Sequence, residues 1–526
     1  MTGSAFEGFR KVIEKEFSKI YVFNLRGDAT SQGEMRRKEG DGVFGDGSRT
    51  AIAITLLVKR KGFSGKAEIQ YVQTDDYMKR QEKFDMLNKS VSFGRMSDSW
   101  NLESIEPKPN GDWLVERNEI FDMLIPLAGE KKFDKYKNDS VFVGYSRGYG
   151  TSRDQWMYNF NSVYLKQNMS SFLEEYKVQK ASGKIIYDTS KISWNSSLLK
   201  DVSDGVDHPF KEQYVSLSTY RPFCRYFLYN DPEIIYETAA MPRFYPRGCK
   251  NLTICTSSVG DKKDFSCLMT DCPTDLHFVG TTQCFPLYWY DVKDTLSESK
   301  QSKLMDFEQS APVRHDGISQ FIRDEAQKKY GVDVSSEDLF FYVYGYLHSP
   351  EYRSMFSDNL KLSLPKIGLV NSYDDFMAFF EAGRKLSNLH TKYEDVEPYY
   401  GVRINGDAPI EDILGKTNIH HVTKMKLVPD KHRLIYNEYI TIDDIPDEAF
   451  EYVVNGRSAL GWIVDRYQIT TDKESGIVND PNEYAGSTYI LKLVLSVINV
   501  SVKTMEIVKN LPHISFKDDN DDRFTE

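Results

Sequence analysis

The stretches Ile20-Tyr-Val-Phe-Asn-Leu25 and Ala51-Ile-Ala-Ile-Thr-Leu-Leu-Val58 decide the fold of the first part of this 526-residue chain. Both are apolar at nearly every position, which is typical of strands buried on both faces of a largely parallel sheet. The capping box Ser4-Ala-Phe-Glu7, followed by Phe9, Ile13 and Phe17 at helical spacing, predicts a helix before the first strand. Because such a sheet needs more strands than these two, we expect the back half of a larger α/β domain.

The residues around these strands resemble the part of the Type ISP restriction-modification enzymes that follows the catalytic methyltransferase motif. They are Asn24-Leu-Arg-Gly27, Gly33-Glu34, Arg37-Lys-Glu-Gly40, Phe44-Gly45 and Gly47-Ser-Arg-Thr50. In that family one polypeptide carries nuclease, helicase-like ATPase, adenine-N6 methyltransferase and target-recognition domain in that order. The resemblance implies that residues 1–130 are the C-terminal half of an adenine-N6 DNA methyltransferase domain, an incomplete Rossmann-like half.

The remainder of the chain resembles the target-recognition region of the same family. The matching segments are Tyr145-Ser-Arg-Gly-Tyr-Gly-Thr-Ser-Arg-Asp-Gln-Trp156, Tyr220-Arg-Pro-Phe223, Phe285-Pro-Leu-Tyr288, the helical segment Asp338 to Pro365, Tyr452-Val-Val-Asn-Gly-Arg-Ser-Ala-Leu460 and Ser475-Gly-Ile-Val-Asn-Asp-Pro-Asn482. The resemblance implies that residues 131–526 form a mixed α+β DNA target-recognition domain, the C-terminal specificity domain, with a further boundary near the polar run 297–314. The predicted fold class is thus α/β and α+β.

Composition is consistent with an ordered protein of this kind. Apolar residues make up 40% of the chain and aromatic residues 13%, which is typical of a globular protein and not of a disordered one. We find no apolar run long enough to span a membrane and no signal peptide, so we expect a cytoplasmic protein with no membrane partner. The net charge of −11 excludes a generic DNA-coating protein, but it allows a local basic groove.

Catalytic and metal-binding motifs are missing from the sequence. Adenine-N6 methyltransferases of this family use an NPPY-like tetrapeptide and a cofactor motif F-x-G-x-G, and neither occurs here. Gly40-Asp-Gly-Val-Phe-Gly45 fits G-x-G-x-x-G but leads into a strand instead of a helix, so we interpret it as a loop. The adjacent His420 and His421 would point to opposite faces of a strand. The six cysteines, all between Cys224 and Cys284, contain no C-x2-C pair and favour reduced core cysteines over a zinc site with His277.

Recognition remains, and three groups of residues are candidates for it. Arg, Lys, Asn and Gln side chains present the donors and acceptors that read base edges. In the glycine-rich stretch we select Arg147, Thr151, Ser152, Arg153 and Gln155, where the backbone could approach DNA closely. The alternative, which we favour slightly, is an internal Arg153–Asp154 network that braces Trp156.

The other two groups lie in the C-terminal half. Arg457 and Arg466 are the second candidate group, although Asp465 and the apolar residues around it favour a packed element. Lys424, Lys426, Lys431 and Arg433, with His432, could contact phosphate, although a charge run is more often a solvated surface. The tyrosines Tyr342, Tyr344, Tyr346 and Tyr352 could be taken for a base-stacking platform, but their helical spacing favours the core.

Two hypotheses about function therefore stand against each other. In the first, the chain is the DNA-reading specificity part of a Type ISP restriction-modification system that defends against phage. Its partners are then double-stranded DNA and an upstream fragment with the methyltransferase motifs, the helicase-like ATPase and the nuclease. S-adenosylmethionine is implied for the complete family enzyme, whereas this chain alone is expected to have no cofactor and no catalytic activity. In the second, the chain is a truncated remnant or a protein-interaction module that does not read DNA.

Overall fold

The computed structural model describes residues 6–29, 33–44, 48–89, 100–108, 111–115, 117–129, 139–261, 263–291, 312–405, 413, 415 and 419–514, with the backbone alone for 33–35. These residues form two compact units, Met1–Asn118 and Glu119–Glu526. The division falls before the predicted boundary at 130, which itself lies outside the described residues, as do most of 297–314 and the capping residue Ser4.

The described residues of the first unit form a four-stranded sheet with three helices. Its elements are α1 (Glu7–Glu16), β1 (Lys19–Asn24), α2 (Gly33–Glu39), β2 (Ala53–Val58), β3 (Glu68–Gln73), α3 (Arg80–Lys89) and β4 (Glu103–Ile105). The strand order is β2-β1-β3-β4. Only β1 and β3 run parallel, whereas β2 and β4 are antiparallel to their neighbours. The expectation of a largely parallel sheet was therefore wrong, although the α/β class is confirmed.

The two apolar strands of this unit differ in burial. In β1, Ile20 and Phe23 are fully buried because neighbours flank the strand on both sides. β2 is the edge strand, and Ile54 and Val58 are more than one third exposed. We predicted that both strands are buried on both faces. This prediction holds only in part for β1 and is wrong for β2. A continuous apolar run does not distinguish a central strand from an edge strand.

A buried ion pair connects helix α1 to the segment around residue 112. Arg10 of α1 donates to Asp112 at 3.1 Å and to the carbonyl of Gly111 at 2.7 Å, and both charged side chains are almost completely buried. Trp113 donates to Glu14 of the same helix. The apolar pattern near Trp113 to Leu124 predicts a helix, but the residues around Trp113 instead form a loop segment that binds α1. Only the single turn Ile120–Met123 is helical, and it belongs to the second unit.

The second unit contains several small antiparallel sheets and two large apolar clusters. Its helices are α4 (Ile120–Met123), α5 (Asp154–Met157), α6 (Ser162–Ser182), α7 (Ser196–Ser203), α8 (Met241–Phe244), α9 (Gln320–Tyr330), α10 (Ser336–Tyr346), α11 (Pro350–Met355), α12 (Ser357–Leu362), α13 (Tyr373–Thr391), α14 (Glu448–Glu451), α15 (Ala459–Arg466) and α16 (Tyr489–Lys509). The sequence predicts helices at Val163 to Tyr176 and, behind the acidic cap Glu337-Asp338, at Ser336 to Leu347. Both predictions are confirmed, as α6 and α10.

The strands of this unit pair in seven sheets. They are β5 (Ile125–Pro126), β6 (Ser146–Arg147), β7 (Tyr158–Asn159), β8 (Val215–Arg221), β9 (Cys224–Tyr229), β10 (Thr253–Thr256), β11 (Cys267–Thr270), β12 (Gln283–Pro286), β13 (Tyr288–Asp291), β14 (Val313–Asp316), β15 (Lys366–Ile367), β16 (Arg403–Ile404), β17 (Lys426–Val428), β18 (Arg433–Ile435), β19 (Thr441–Asp443), β20 (Val453–Val454), β21 (Arg457–Ser458), β22 (Thr470–Thr471) and β23 (Val478–Asn479). The orders that matter below are β11-β10-β12-β6 and β16-β19-β18-β17.

Helices α10 and α13 cross at two glycines. A methyl group on Gly383 would lie 1.9 Å from the carbonyl oxygen of Phe341, and one on Gly345 would lie 2.2 Å from that of Phe379. Only glycine allows backbones to approach so closely. The capping box of Ser335 and Asp338 begins α10. The four tyrosines, Tyr342, Tyr344, Tyr346 and Tyr352, are fully buried here, which confirms that they belong to the core and not to a stacking platform.

Candidate nucleic-acid interface

Arg147 lies on the surface at the end of strand β6. Its guanidinium is half exposed and pairs with the carboxylate of Glu237 at 3.2 Å, which is itself 40% exposed. An ion pair this accessible contributes little to stability, because water and salt screen both charges. Arg147 can therefore exchange Glu237 for another acceptor at small cost.

The glycines next to Arg147 serve the fold. A methyl group on Gly148 would lie 2.4 Å from the carbonyl oxygen of Asp275, so the two backbones are in close contact. Tyr149 is buried, and its N–H donates to the carbonyl of Thr274 at 2.8 Å. The glycine at position 148 is thus required by the backbone of Asp275, which gives it a structural role besides the predicted approach to DNA.

Thr151 and Arg153 point inward. The Thr151 hydroxyl donates to Asp154, and the Asp154 carboxylate also accepts from the Tyr220 hydroxyl at 3.1 Å. Arg153 is 1% exposed, and its guanidinium lies 5.4 Å from the ring centre of Phe172. Base contact by these two side chains is excluded by burial, and the predicted Arg153–Asp154 pair is also wrong.

The buried guanidinium of Arg153 has unusual surroundings. None of its three nitrogens has a hydrogen-bond partner in the part of the chain that the structure describes. Burial lowers the pKa of Arg153 to about 10, while the charge of Asp201 acts in the opposite direction. Phe172 also contacts Trp156, with ring centres 5.3 Å apart. Arg153 thus supports the core beneath the loop, and of its neighbours only Ser152 is exposed, with Gln155 partly buried.

Arg457 and Arg466 share one carboxylate. Asp465 accepts from Arg457 at 2.5 Å and from the Nε of Arg466 at 2.6 Å. Burial alone would raise the pKa of Asp465, but the Arg457 hydrogen bond and the charge of Arg466 outweigh it and lower the pKa. Arg457 also lies over the ring of Trp462, 5.1 Å from its centre. The packed element expected around Asp465 is present, and both arginines remain about one third exposed.

Strand pairing connects the two arginine groups through residues that the sequence did not single out. Arg147 is the register partner of Gln283, whose amide donates to the Ser258 hydroxyl at 3.1 Å. From Ser258 the loop turns through Asp261, whose backbone N–H donates to the Ser258 carbonyl at 3.3 Å, to Lys263. We call this set the Arg147–Arg457 surface; it comprises Arg147, Ser258, Lys263, Gln283, Asn455, Gly456 and Arg457.

The hairpin turn between β20 and β21 completes this surface. Asn455 and Gly456 both have positive φ, 50° and 76°, as in the tight turns that Asn-Gly favours. A methyl group on Gly456 would lie 3.1 Å from Cδ of Lys263, so the lysine stem packs on the turn. The Asn455 N–H donates to Ser266 at 2.8 Å. The turn and the loop 258–266 are therefore held together directly.

A second basic region surrounds strand β17 and the turn that follows it. Lys424, Lys426 and Lys431 are exposed, and none of them forms an ion pair with a described residue. We call these three residues the lysine edge. Arg433 differs from them, because it is paired with Asp443, and the hydrogen bond to this carboxylate raises its pKa. Arg433 is therefore less available for phosphate contact than the three lysines.

The described residues contain neither a cluster suited to a metal ion nor a helix suited to a membrane span. No cluster of three or more His, Cys, Asp or Glu side chains able to hold a metal ion occurs there. None of the described helices is both long and apolar enough to cross a membrane. Cys224, Cys255, Cys267 and Cys284 are buried thiols in strands, while His277 is exposed.

Comparison with known proteins gives consistent matches. The family described as Type ISP C-terminal specificity domain matches residues 140–493. A nuclease-deletion mutant of the Type ISP restriction-modification enzyme LlaGI, in complex with a DNA substrate mimic, is 34% identical with a TM-score of 0.78 over 97% of this chain and 45% of its own. The ATP-dependent Type ISP enzyme LlaBIII bound to DNA is 31% identical with a TM-score of 0.82, over 98% and 32%.

A third structure extends the comparison. The DrdV–DNA complex is 25% identical, with a TM-score of 0.77 over 98% of this chain and 50% of that one. The search of curated proteins gave no match. This chain therefore spans half or less of the length of each of these three structures.

Proposed function

Because the chain belongs to the family of the Type ISP C-terminal specificity domain, we propose that it recognises a DNA sequence as the specificity part of a Type ISP restriction-modification system. The observation that carries this proposal is the Arg147–Arg457 surface. There the fold unites the cations Arg147, Lys263 and Arg457 from segments far apart in the sequence, together with Gln283 and Asn455, which are themselves buried. These are the side-chain types that hydrogen-bond base edges in the major groove.

The three solved structures support the same proposal. Each is a DNA complex, and each matches nearly the whole of this chain. The lysine edge would supply phosphate contacts, since exposed and unpaired ammonium groups release counterions from DNA without reading sequence. Under this proposal, the two basic regions divide the work: one reads bases and the other provides affinity.

The rest of the restriction-modification activity would come from elsewhere. We propose that an upstream fragment carries the methyltransferase motifs that bind S-adenosylmethionine and catalyse methyl transfer, together with the helicase-like ATPase and the nuclease. The basis is the absence of both motifs from this sequence and its coverage of half or less of the related chains. A DNA-recognition role also implies the cytoplasm as the compartment. The competing proposal, a remnant or interaction module, predicts no DNA preference at all.

Selection from a random duplex pool tests the proposed function. The full chain is incubated with the pool at about 50 mM salt, because phosphate contacts are strongest there, and bound DNA is sequenced. We expect enrichment of one sequence pattern. A folded protein that leaves the pool unenriched, both alone and with a fragment carrying the methyltransferase motifs, would reject DNA recognition and favour the remnant.

A further inference from the structure

Lys263 belongs to the Arg147–Arg457 surface, and its partial burial there is unfavourable for a charged side chain. Its side chain is partly buried against the hairpin turn, with Cδ close to Gly456. Its ammonium group has no hydrogen bond or ion pair with any residue in the described ranges. Its backbone N–H donates to the carboxylate of Asp261 at 3.1 Å. Lys263 is thus a fixed cation without a fixed acceptor.

The neighbouring charges do not remove this deficit. Burial lowers the pKa of Lys263; Asp261 opposes this effect, and the nearby guanidinium of Arg457 adds to it. Asp261 is itself turned toward Gly280, because a methyl group there would lie 2.1 Å from its Oδ2. Arg457 already has Asp465 as its partner. The ammonium group of Lys263 thus lies near the cation Arg457 and lacks an acceptor of its own. An acceptor atom of a bound ligand would therefore be favourable there.

A second polar group at the same place lacks a partner. The Oδ1 atom of Asn455 is buried and accepts no hydrogen bond among the described residues. It lies 3.6 Å from the position of a methyl group on Gly280. Buried polar atoms in native proteins are nearly always hydrogen-bonded, to protein or to ordered water. The Oδ1 atom of Asn455 is therefore enclosed beside Gly280, and partly exposed Lys263 is the unpaired polar group next to this turn that a ligand can reach.

We propose that Lys263 is a specificity-determining residue that donates to a guanine edge, O6 or N7, in the major groove. This inference rests on the proposed function. A lysine that contacts phosphate is usually exposed and mobile, like those of the lysine edge. The stem of Lys263 packs against Gly456 instead, which narrows the positions that its ammonium group can reach. A cation restrained in this way can distinguish one base pair from another. Phosphate contact would instead be insensitive to sequence.

The test compares Lys263→Met, Lys263→Arg and the control Lys184→Met in the duplex selection, using the full chain. Methionine keeps the packing against Gly456 and removes the charge, and Lys184 is an exposed lysine outside the surface. We expect Lys263→Met to lose preference by about 10-fold at one base-pair position, with other positions unchanged. Lys263→Arg should keep the overall affinity and the preference for guanine at that same position, because arginine donates to the same O6 and N7 acceptors. Lys184→Met should match the wild type.

Each outcome separates this inference from the proposed function. Enrichment by the wild type with a uniform loss in Lys263→Met, and a salt slope smaller by about 0.9, would identify a phosphate contact and overturn the guanine role. An unchanged selection in both Lys263 variants would also overturn it. An unenriched wild-type pool would reject the proposed function itself, before any variant is compared. Thermal unfolding confirms that each variant is folded, and Lys263→Arg serves if the methionine variant is not.

Discussion

The Arg147–Arg457 surface and the lysine edge are both basic, but they hold their cations in different ways. In the first, Arg147 and Arg457 each have a carboxylate partner and Lys263 packs on a turn. In the second, Lys424, Lys426 and Lys431 are exposed and have no ion-pair partner among described residues. Restrained cations can discriminate between bases by geometry, whereas free ones respond mainly to charge density. The difference teaches that positive charge alone does not identify the sequence-reading part of such a protein.

The largest effect is expected from neutralising the lysine edge. The triple variant Lys424→Ala, Lys426→Ala and Lys431→Ala should bind all duplexes more weakly, on the order of 100-fold at low salt, if all three contact phosphate. The slope of log K against log salt should fall by about 2.7 for the same reason. Binding isotherms at several salt concentrations measure both quantities. The matched control removes three other exposed lysines, Lys184, Lys191 and Lys200.

A sequence-dependent loss in the triple variant would break the comparison, because it would place base reading on the lysine edge. An equal loss in the control would mean that overall charge decides the affinity. Only a uniform loss confined to the first variant fits the proposed division between the two regions.

A smaller and more selective effect is expected at Arg147. Arg147→Ala should cost about 1 to 3 kcal/mol at one base position and nothing at the others. Glu237→Gln should strengthen binding a few-fold, about 0.2 to 1 kcal/mol, because DNA no longer competes with the Glu237 carboxylate. Competition binding with single-base variants of the selected sequence provides the measurement. If Glu237→Gln does not strengthen binding, Arg147 does not exchange this partner for DNA.

The smallest effect on binding is expected at Arg153. Arg153→Met should leave the selected sequence unchanged, since the guanidinium is 1% exposed. Its effect on folding is different: replacing buried ionic groups by apolar ones of similar volume is often neutral or stabilising by about 1 to 4 kcal/mol. Urea unfolding of the variant and the wild type determines the sign. Altered base preference in a folded Arg153→Met protein would contradict the buried position.

Sequence patterns predicted the helical core better than the recognition surface. Tyr342 and Tyr346 repeat at helical spacing beside other apolar residues, and this spacing encodes which side of a helix is buried. Arg153 illustrates the opposite case. It was selected by residue type, yet it is buried against Phe172 of α6. The type of a side chain does not reveal whether a distant element covers it. The apolar run of β2 failed for a similar reason, since edge position depends on pairing.

Lys263, Ser258 and Gln283 could not have been found from the sequence alone. None of them lies in a motif, and their proximity arises from the register of β12 with β6 and from the packing of the loop on the turn at Gly456. Such long-range pairing is set by the whole sheet. One local signal did exist: Asn455-Gly456 between two short apolar runs is typical of a hairpin turn. It indicated the turn but not the loop that packs against it.

The close contact between Gly148 and the Asp275 backbone has a consequence for the inheritance of specificity. Arg147 is placed by a segment near residue 275 that belongs to a different part of the gene, and Lys263 is placed by a turn near residue 456. Suppose that recombination with a relative exchanged only one of these segments. Arg147 or Lys263 would then lose the segment that positions it. New specificities in this architecture should therefore arise by point substitution at exposed positions, or by exchange of the whole region, and rarely by swapping a short continuous cassette.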